Sequence, residues 1–175
     1  MFLEKSKSAV VSLIMTMLCI FALPALVLAN PNEGFAIVLR IIDGDTIDVV
    51  YHEEVERLRF YAVDAPETVH PQRKVEPFGP EASELVKKLL PVGTVVRLEF
   101  EKHKRGAFCR LQAHVWVGDT LVSAELVKRG LAKVENWKYE YKNKVLLEEL
   151  QKKASDAHEG VWGLVEIPAG AEKGI

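Results

Sequence analysis

Asp45, Asp64 and Glu67 are the residues of this chain best suited to chemistry, and Arg59 and Arg110 are their natural complement. Aspartates offer hard oxygen donors of the kind that calcium or magnesium prefers. Glu67 stands three residues past Asp64, after Pro66. From there a carboxylate can lean over the same ion as a general base or water-orienting group. Guanidinium forks grip phosphate oxygens in pairs and stabilise the charge that builds up in a transition state. Each residue also has an ordinary reading. The aspartates are then turn formers at strand ends, Glu67 a solvated loop residue, and the arginines salt-bridge partners of a chain rich in acids.

Position decides between these readings. Thr46–Tyr51 and Arg57–Val63 read as strands, and the polar, acidic stretch His52–Glu56 between them as a turn. A hairpin centred between Glu54 and Val55 sets Val50 against Arg59, Ile47 against Ala62 and Asp45 against Asp64. Directly opposed side chains lie about 5 Å apart, and like charges there are destabilising. Two carboxylates that close need a cation or a shared proton. A register shifted by one or two leaves both as turn residues. Arg59 and Asp64 differ by an odd number, so a flat strand points them to opposite faces. A twist or bulge at the strand end must bring them together.

The remaining elements form the frame. Phe35–Ile42 is a β-branched run closed by the Asp43-Gly44 turn signal, Thr94–Glu101 alternates cleanly, and Phe108–Val117 is a fifth strand. Cys109 is expected as a packed thiol on it. A helix starts at Gly79-Pro80, with Ala82, Leu85, Val86, Leu89 and Leu90 as its stripe, and stops at Pro91. A second runs from Val122 to Arg129 with Gly130 as its cap, and a third from Asn143 to Glu159. Five short strands with helical inserts predict a small barrel of α+β, mainly β, class.

Composition bounds the function. The chain has 175 residues, 23 basic against 25 acidic, for a net charge of −2. Binding by bulk positive charge is excluded, so a nucleic-acid protein of this composition needs a local patch. Lys102 to Arg105 is a candidate, or else a solvated loop. Two cysteines make neither a disulfide scaffold nor a cysteine-rich zinc site. Residues 1–29 carry a basic start (Lys5, Lys7), a long apolar run, Pro24 and small residues before Asn30. They read as a signal peptide or, uncleaved, as a membrane anchor, and either places the domain outside the cytoplasm. Residues 30–34 are expected to be a linker, 35–164 the domain, and 165–175 a loose tail.

Several segments carry a resemblance to the staphylococcal nuclease (thermonuclease) family. They are Ile42-Asp43-Gly44-Asp45-Thr46, the run Arg59 to Thr68, His70-Pro71, Phe78 to Ser83, Phe108-Cys109-Arg110 and Leu126 to Val134. The resemblance covers residues 36–164 in order and at compatible spacing. It implies a five-stranded OB-fold barrel with three α-helices and Ca2+-dependent hydrolysis of DNA and RNA, with single strands preferred. It further implies that Asp45 and Asp64 are metal ligands through side chains and Ala65 through its carbonyl. Glu67 would activate water, Arg59 and Arg110 would grip the phosphate, and Asp43 would stand behind the metal ligands. Phe108, Trp137 and Tyr139 become candidate substrate contacts, the last two as base-stacking rings. A monomer without a stable protein partner is expected. The chain departs from the pattern at Cys109, where glycine is usual, at Gln112, where an apolar residue is usual, and in aromatic positions shifted by one near Trp137.

Two alternatives are of other classes. A non-catalytic module of this fold would bind nucleic acid or protein, but would be expected to lose one of Asp45, Asp64, Arg59, Glu67 or Arg110. An oligosaccharide-binding barrel would not need an acidic pair beside two arginines.

Overall fold

The computed structural model describes residues 32–69 and 74–164. The expected leader, His70-Pro71 and the expected tail lie outside the described residues. Five strands close a barrel: β1 (Glu33–Ile41), β2 (Thr46–Tyr51), β3 (Glu54–Phe60), β5 (Val95–Glu99) and β6 (Leu111–Val117). The order is β3-β2-β1-β5-β6, and a parallel pairing of β3 with β6 closes it. Two short strands, β4 (Val63–Asp64) and β8 (Lys133–Val134), pair with each other, and β7 (Thr120–Leu121) extends β6. Three helices complete the fold: α1 (Gly79–Leu89), α2 (Val122–Lys128) and α3 (Lys144–Asp156).

Alternation builds the barrel core. Val38, Ile47, Val49, Leu58, Phe60, Val96, Leu98 and Leu111 are fully buried along their strands. The α1 stripe inserts Ala82 and Val86, and Leu126 and Leu147 follow from α2 and α3. α1 begins at Gly79-Pro80 as the sequence predicts, because proline has no N–H to lose at the first turn. β1 starts at Glu33, inside the expected linker and two residues before the expected start of the domain, and its Glu33 pairs with Glu99.

The β2–β3 hairpin corrects the expected register. Thr46 pairs with Arg59, Ile47 with Leu58 and Tyr51 with Glu54. The turn is therefore His52-Glu53, both left-handed (φ 51° and 66°). Two such residues form the tight connection that matches strand twist, here without glycine. Glu54, Val55 and Glu56 belong to β3 and not to the turn. Their acidity marks an exposed strand start.

Candidate active site

Asp45 does not oppose Asp64 across the hairpin. Its carbonyl accepts the Phe60 N–H at 2.8 Å, one register step beyond the Thr46–Arg59 pair. The chain then turns at Tyr61-Ala62, where Ala62 is left-handed at φ 62°. This turn reverses the parity of the strand and carries Asp64 onto β4, opposite Lys133. Arg59 spans the gap between the aspartates. Its Nη1 donates to Asp45 Oδ1 at 2.9 Å and its Nη2 to Asp64 Oδ1 at 2.6 Å. The acids therefore meet through one guanidinium, and the predicted twist at the strand end is the Ala62 turn.

Asp45 is almost fully buried. Its Oδ1 also accepts the Thr46 hydroxyl at 2.8 Å, and its Oδ2 accepts the Ala65 N–H at 2.9 Å. Burial pushes its carboxyl up to about 7; Asp43 adds to the rise, while Arg59, Ala65 and Thr46 oppose it. Asp43 Oδ1 accepts the Asp45 N–H at 3.0 Å and so shapes the turn behind Asp45. Burial works against the charge of Arg59, yet Asp45, Asp64 and Glu135 around it hold its pKa above the ordinary value. Glycines lock the loops that carry these groups. A Cβ on Gly44 would lie 2.6 Å from the Ala82 Cβ and 2.8 Å from the Ala65 Cβ, so the Asp45 turn packs directly on α1. At Gly79 a Cβ would lie 2.5 Å from Thr68 Cγ2, which seats the Glu67 loop on the start of α1.

Glu67 follows β4 on that loop, and its Oε1 accepts the N–H groups of Thr68 and Val69 at 3.0 and 2.9 Å. Glu76 ties the loop from its far side: the Glu67 N–H donates to Glu76 Oε2 at 3.1 Å, and the Glu76 N–H to the Glu67 carbonyl at 2.9 Å. Among the described residues no three acid, histidine or cysteine side chains form a metal cage. The donor set nevertheless fits a hard cation. Asp45 is a buried carboxylate held by a single guanidinium, and Asp64 is an exposed one beside it. Two carboxylates with room for water and phosphate oxygens are a usual protein share for such an ion.

Arg110 stands apart from this group. It precedes β6, and no hydrogen bond or ion pair links it to Asp45, Asp64 or Arg59 among the described residues. The parallel register explains why: Leu58 pairs with Leu111 and Arg59 with Gln112, which leaves Arg110 beside Arg57. Phe108 and Cys109 are both left-handed (φ 58° and 56°), in a short 3-10 turn rather than a strand. Cys109 is accordingly an exposed free thiol and not a packed one. The glycine usual at this position suits a left-handed backbone; cysteine adopts it here at a steric cost.

Trp137 and Tyr139 lie on the far side of Tyr61. Trp137 stacks on the Tyr61 ring at 5.9 Å between centroids, and Tyr139 tilts against Trp137 at 5.2 Å. With Lys102, His103, Arg105 and Gln112 they line a groove of about 540 Å³. Tyr61 and Glu135 escape a reading of the sequence. Tyr61 looks like one more strand residue, and Glu135 like one more surface acid. Yet Glu135 accepts from Arg59 Nη2 at 3.4 Å and from Trp137 Nε1 at 2.7 Å, which joins the acid site to the groove. The position of Glu135 immediately after β8, the strand that pairs with Asp64, is the signal that pairing alone supplies.

A closed OB-type barrel with two arginine-bridged aspartates at one strand end defines a class of small barrel proteins with an acid–arginine site on the wall. Comparison with known proteins narrows the class. The family described as staphylococcal nuclease homologue matches residues 57–163. The chain is 38% identical to the thermonuclease of Staphylococcus hyicus over 135 residues, 77% of this chain and 79% of that protein. It is 38% identical to the thermonuclease of Staphylococcus intermedius over 126 residues, 72% of this chain and 74% of that protein. With Endonuclease YncB of Bacillus subtilis it shares 43% identity over 96 residues, 54% of this chain and 45% of that protein. The chain belongs to the staphylococcal nuclease family.

Proposed function

We propose that the chain is an exported nuclease that hydrolyses phosphodiester bonds of DNA and RNA with Ca2+. The observation that carries this reading is Arg59 held between Asp45 and Asp64, beside a loop that presents Glu67. The relatives named thermonuclease and endonuclease support it. The basic and apolar N-terminal residues support export.

Asp45, Asp64 and the Ala65 carbonyl would hold the cation, which supplies Lewis-acid neutralisation of phosphate charge when bound. Arg59 provides a guanidinium aimed where the phosphate's negative charge grows, already oriented by two carboxylates. Glu67 is fixed through Oε1 to its own loop, so its carboxylate can orient a water and accept its proton. Arg110, one row along the wall from Arg59, would grip the same phosphate as the resemblance implies. Trp137 and Tyr139 give bases a face to stack on, which favours single strands.

The test is cleavage of single-stranded DNA and RNA by the purified protein with Ca2+ and with EGTA, beside Arg59→Ala and Glu67→Gln. Calcium-dependent cleavage that both substitutions suppress is the expected result. Absence of cleavage with any divalent ion, from folded protein, replaces this reading with a non-catalytic binding module.

A further inference from the structure

The barrel register arranges outward side chains in rows. One row is Thr46, Arg59 and Gln112, at the acid site. The next crosses three strands: Arg40 pairs with Asp48 and Asp48 with Arg57, and Arg110, just before β6, lines the same cleft. Two residues along a strand span about 7 Å. We propose that this second row, with the ring of Phe108, is a grip for the backbone and one base of a single nucleic-acid strand that continues beyond the scissile phosphate. The proposal rests on the nuclease reading for its substrate.

The row is cationic in a chain whose net charge is −2. Asp48 accepts from Arg40 Nη2 at 2.5 Å and from Arg57 Nε at 2.9 Å. Two guanidinium groups thus share a single carboxylate, and Arg110 lines the same cleft without an ion pair to it among the described residues. The Arg110 Nε is buried and has no acceptor among the described residues. An anionic oxygen from a ligand answers the excess charge of Arg40 and Arg57 over Asp48. Phe108 is 92% exposed, with the Arg110 guanidinium carbon 5.8 Å from its ring centre. Asp48, Val55, Arg57, Phe108 and Arg110 line an open cleft of about 550 Å³. Guanidinium for the phosphate and an open ring for the base are the two elements of sequence-tolerant single-strand binding. This cleft holds neither Trp137 nor Tyr139, so it extends the footprint to a separate part of the wall.

The test compares a 12-nucleotide DNA strand with a dinucleoside phosphate, on the full chain, by binding in EGTA at several salt concentrations and by cleavage with Ca2+. Arg57→Gln is expected to weaken 12-mer binding about fivefold and to lower its salt slope by about 0.7. Arg57→Lys retains the slope. Phe108→Ala weakens the 12-mer by at least fivefold. The dinucleotide, too short to reach the row, is expected to respond little to Arg57→Gln. Asp48→Asn is the decisive variant, because it releases Arg40 and Arg57 and should tighten 12-mer binding severalfold. A purely structural ion network predicts no tightening and a lower melting temperature. Wild-type cleavage of both substrates, with Arg57→Gln and Asp48→Asn indistinguishable from it on the 12-mer, overturns the second grip and leaves the nuclease reading standing. Wild-type failure to cleave, with those differences in binding intact, overturns the nuclease reading and supports the grip.

Discussion

The acid end of the barrel and the aromatic groove share Glu135, yet they are built on opposite plans. At the acid end Asp45 is buried, bonded through both oxygens and packed behind Gly44. In the groove the rings lean mainly on one another, and Tyr139 is half exposed. Fixed dipoles and charges suit chemistry, since they cost no reorganisation at the moment of reaction. A tolerant stacking surface suits a substrate whose bases vary. The difference predicts that substitutions at the acid end lower turnover, while those in the groove raise KM.

The largest effect should come from Arg59→Ala. Loss of a preorganised transition-state contact is worth about 10²–10³ in turnover. It also strips the buried Asp45 of its countercharge, so the melting temperature should fall as well. If single-turnover kinetics show turnover retained and only KM raised, the acid end is a binding surface. Next is Gly44→Ala. Its Cβ would meet Ala82 and Ala65, and overpacking of this kind costs about 1–3 kcal/mol. Urea unfolding measures that cost, and turnover should fall with it because the Asp45 turn is displaced. Tyr139→Ala should weaken single-strand binding by about 1 kcal/mol with turnover kept. A fall in turnover instead would erase the distinction between the two regions.

The smallest expected effect lies beneath the groove. His114 is fully buried on β6 against Tyr61 and Tyr141, with Glu101 Oε1 at 3.4 Å and Glu99 and Lys142 nearby. Burial holds its pKa below 6.5, although Glu101 and Glu99 pull the other way. Below the ordinary histidine pKa the unfolded chain takes a proton that the folded one refuses. This contribution is therefore present above about pH 6.5 and declines as pH falls. Asp45, raised to about 7, acts in the opposite sense, so the readout is a difference: between pH 7.5 and pH 5 urea unfolding should show the wild type losing stability relative to His114→Phe. The same pH response in wild type and variant would remove His114 as a contributor.

The strands and helices are legible because their apolar periods are clean, as in Thr94–Glu101 and the α1 stripe. The hairpin register is not. Acidity places the turn at residues 52–56, whereas backbone twist places it at His52-Glu53. The kinship of Asp45, Asp64 and Arg59 survives that error because the Ala62 turn, and not direct pairing, joins them. Positive φ at an alanine leaves no mark in composition. The separation of Arg110 from Arg59 is a consequence of parallel closure, which depends on residues distant in the chain. Cys109 misleads for a related reason: a residue common in cores occupies a left-handed surface turn.

That closure bears on when the outer wall of the barrel is assembled. The pairing of Leu58 with Leu111 joins segments separated by α1 and β5. Such distant contacts form slowly, because the loop between them must be ordered first. Until β3 meets β6, Arg59 and Arg57 have no neighbours on β6 and the rows of the wall do not exist. The wall that adds Arg110 and Gln112 to the acid site is thus a property of the finished barrel alone, whereas Asp45, Arg59 and Asp64 meet within a local stretch of chain. A chain still folding therefore carries Arg57 and Arg110 as separate parts, and the continuous basic wall appears only at the last closure.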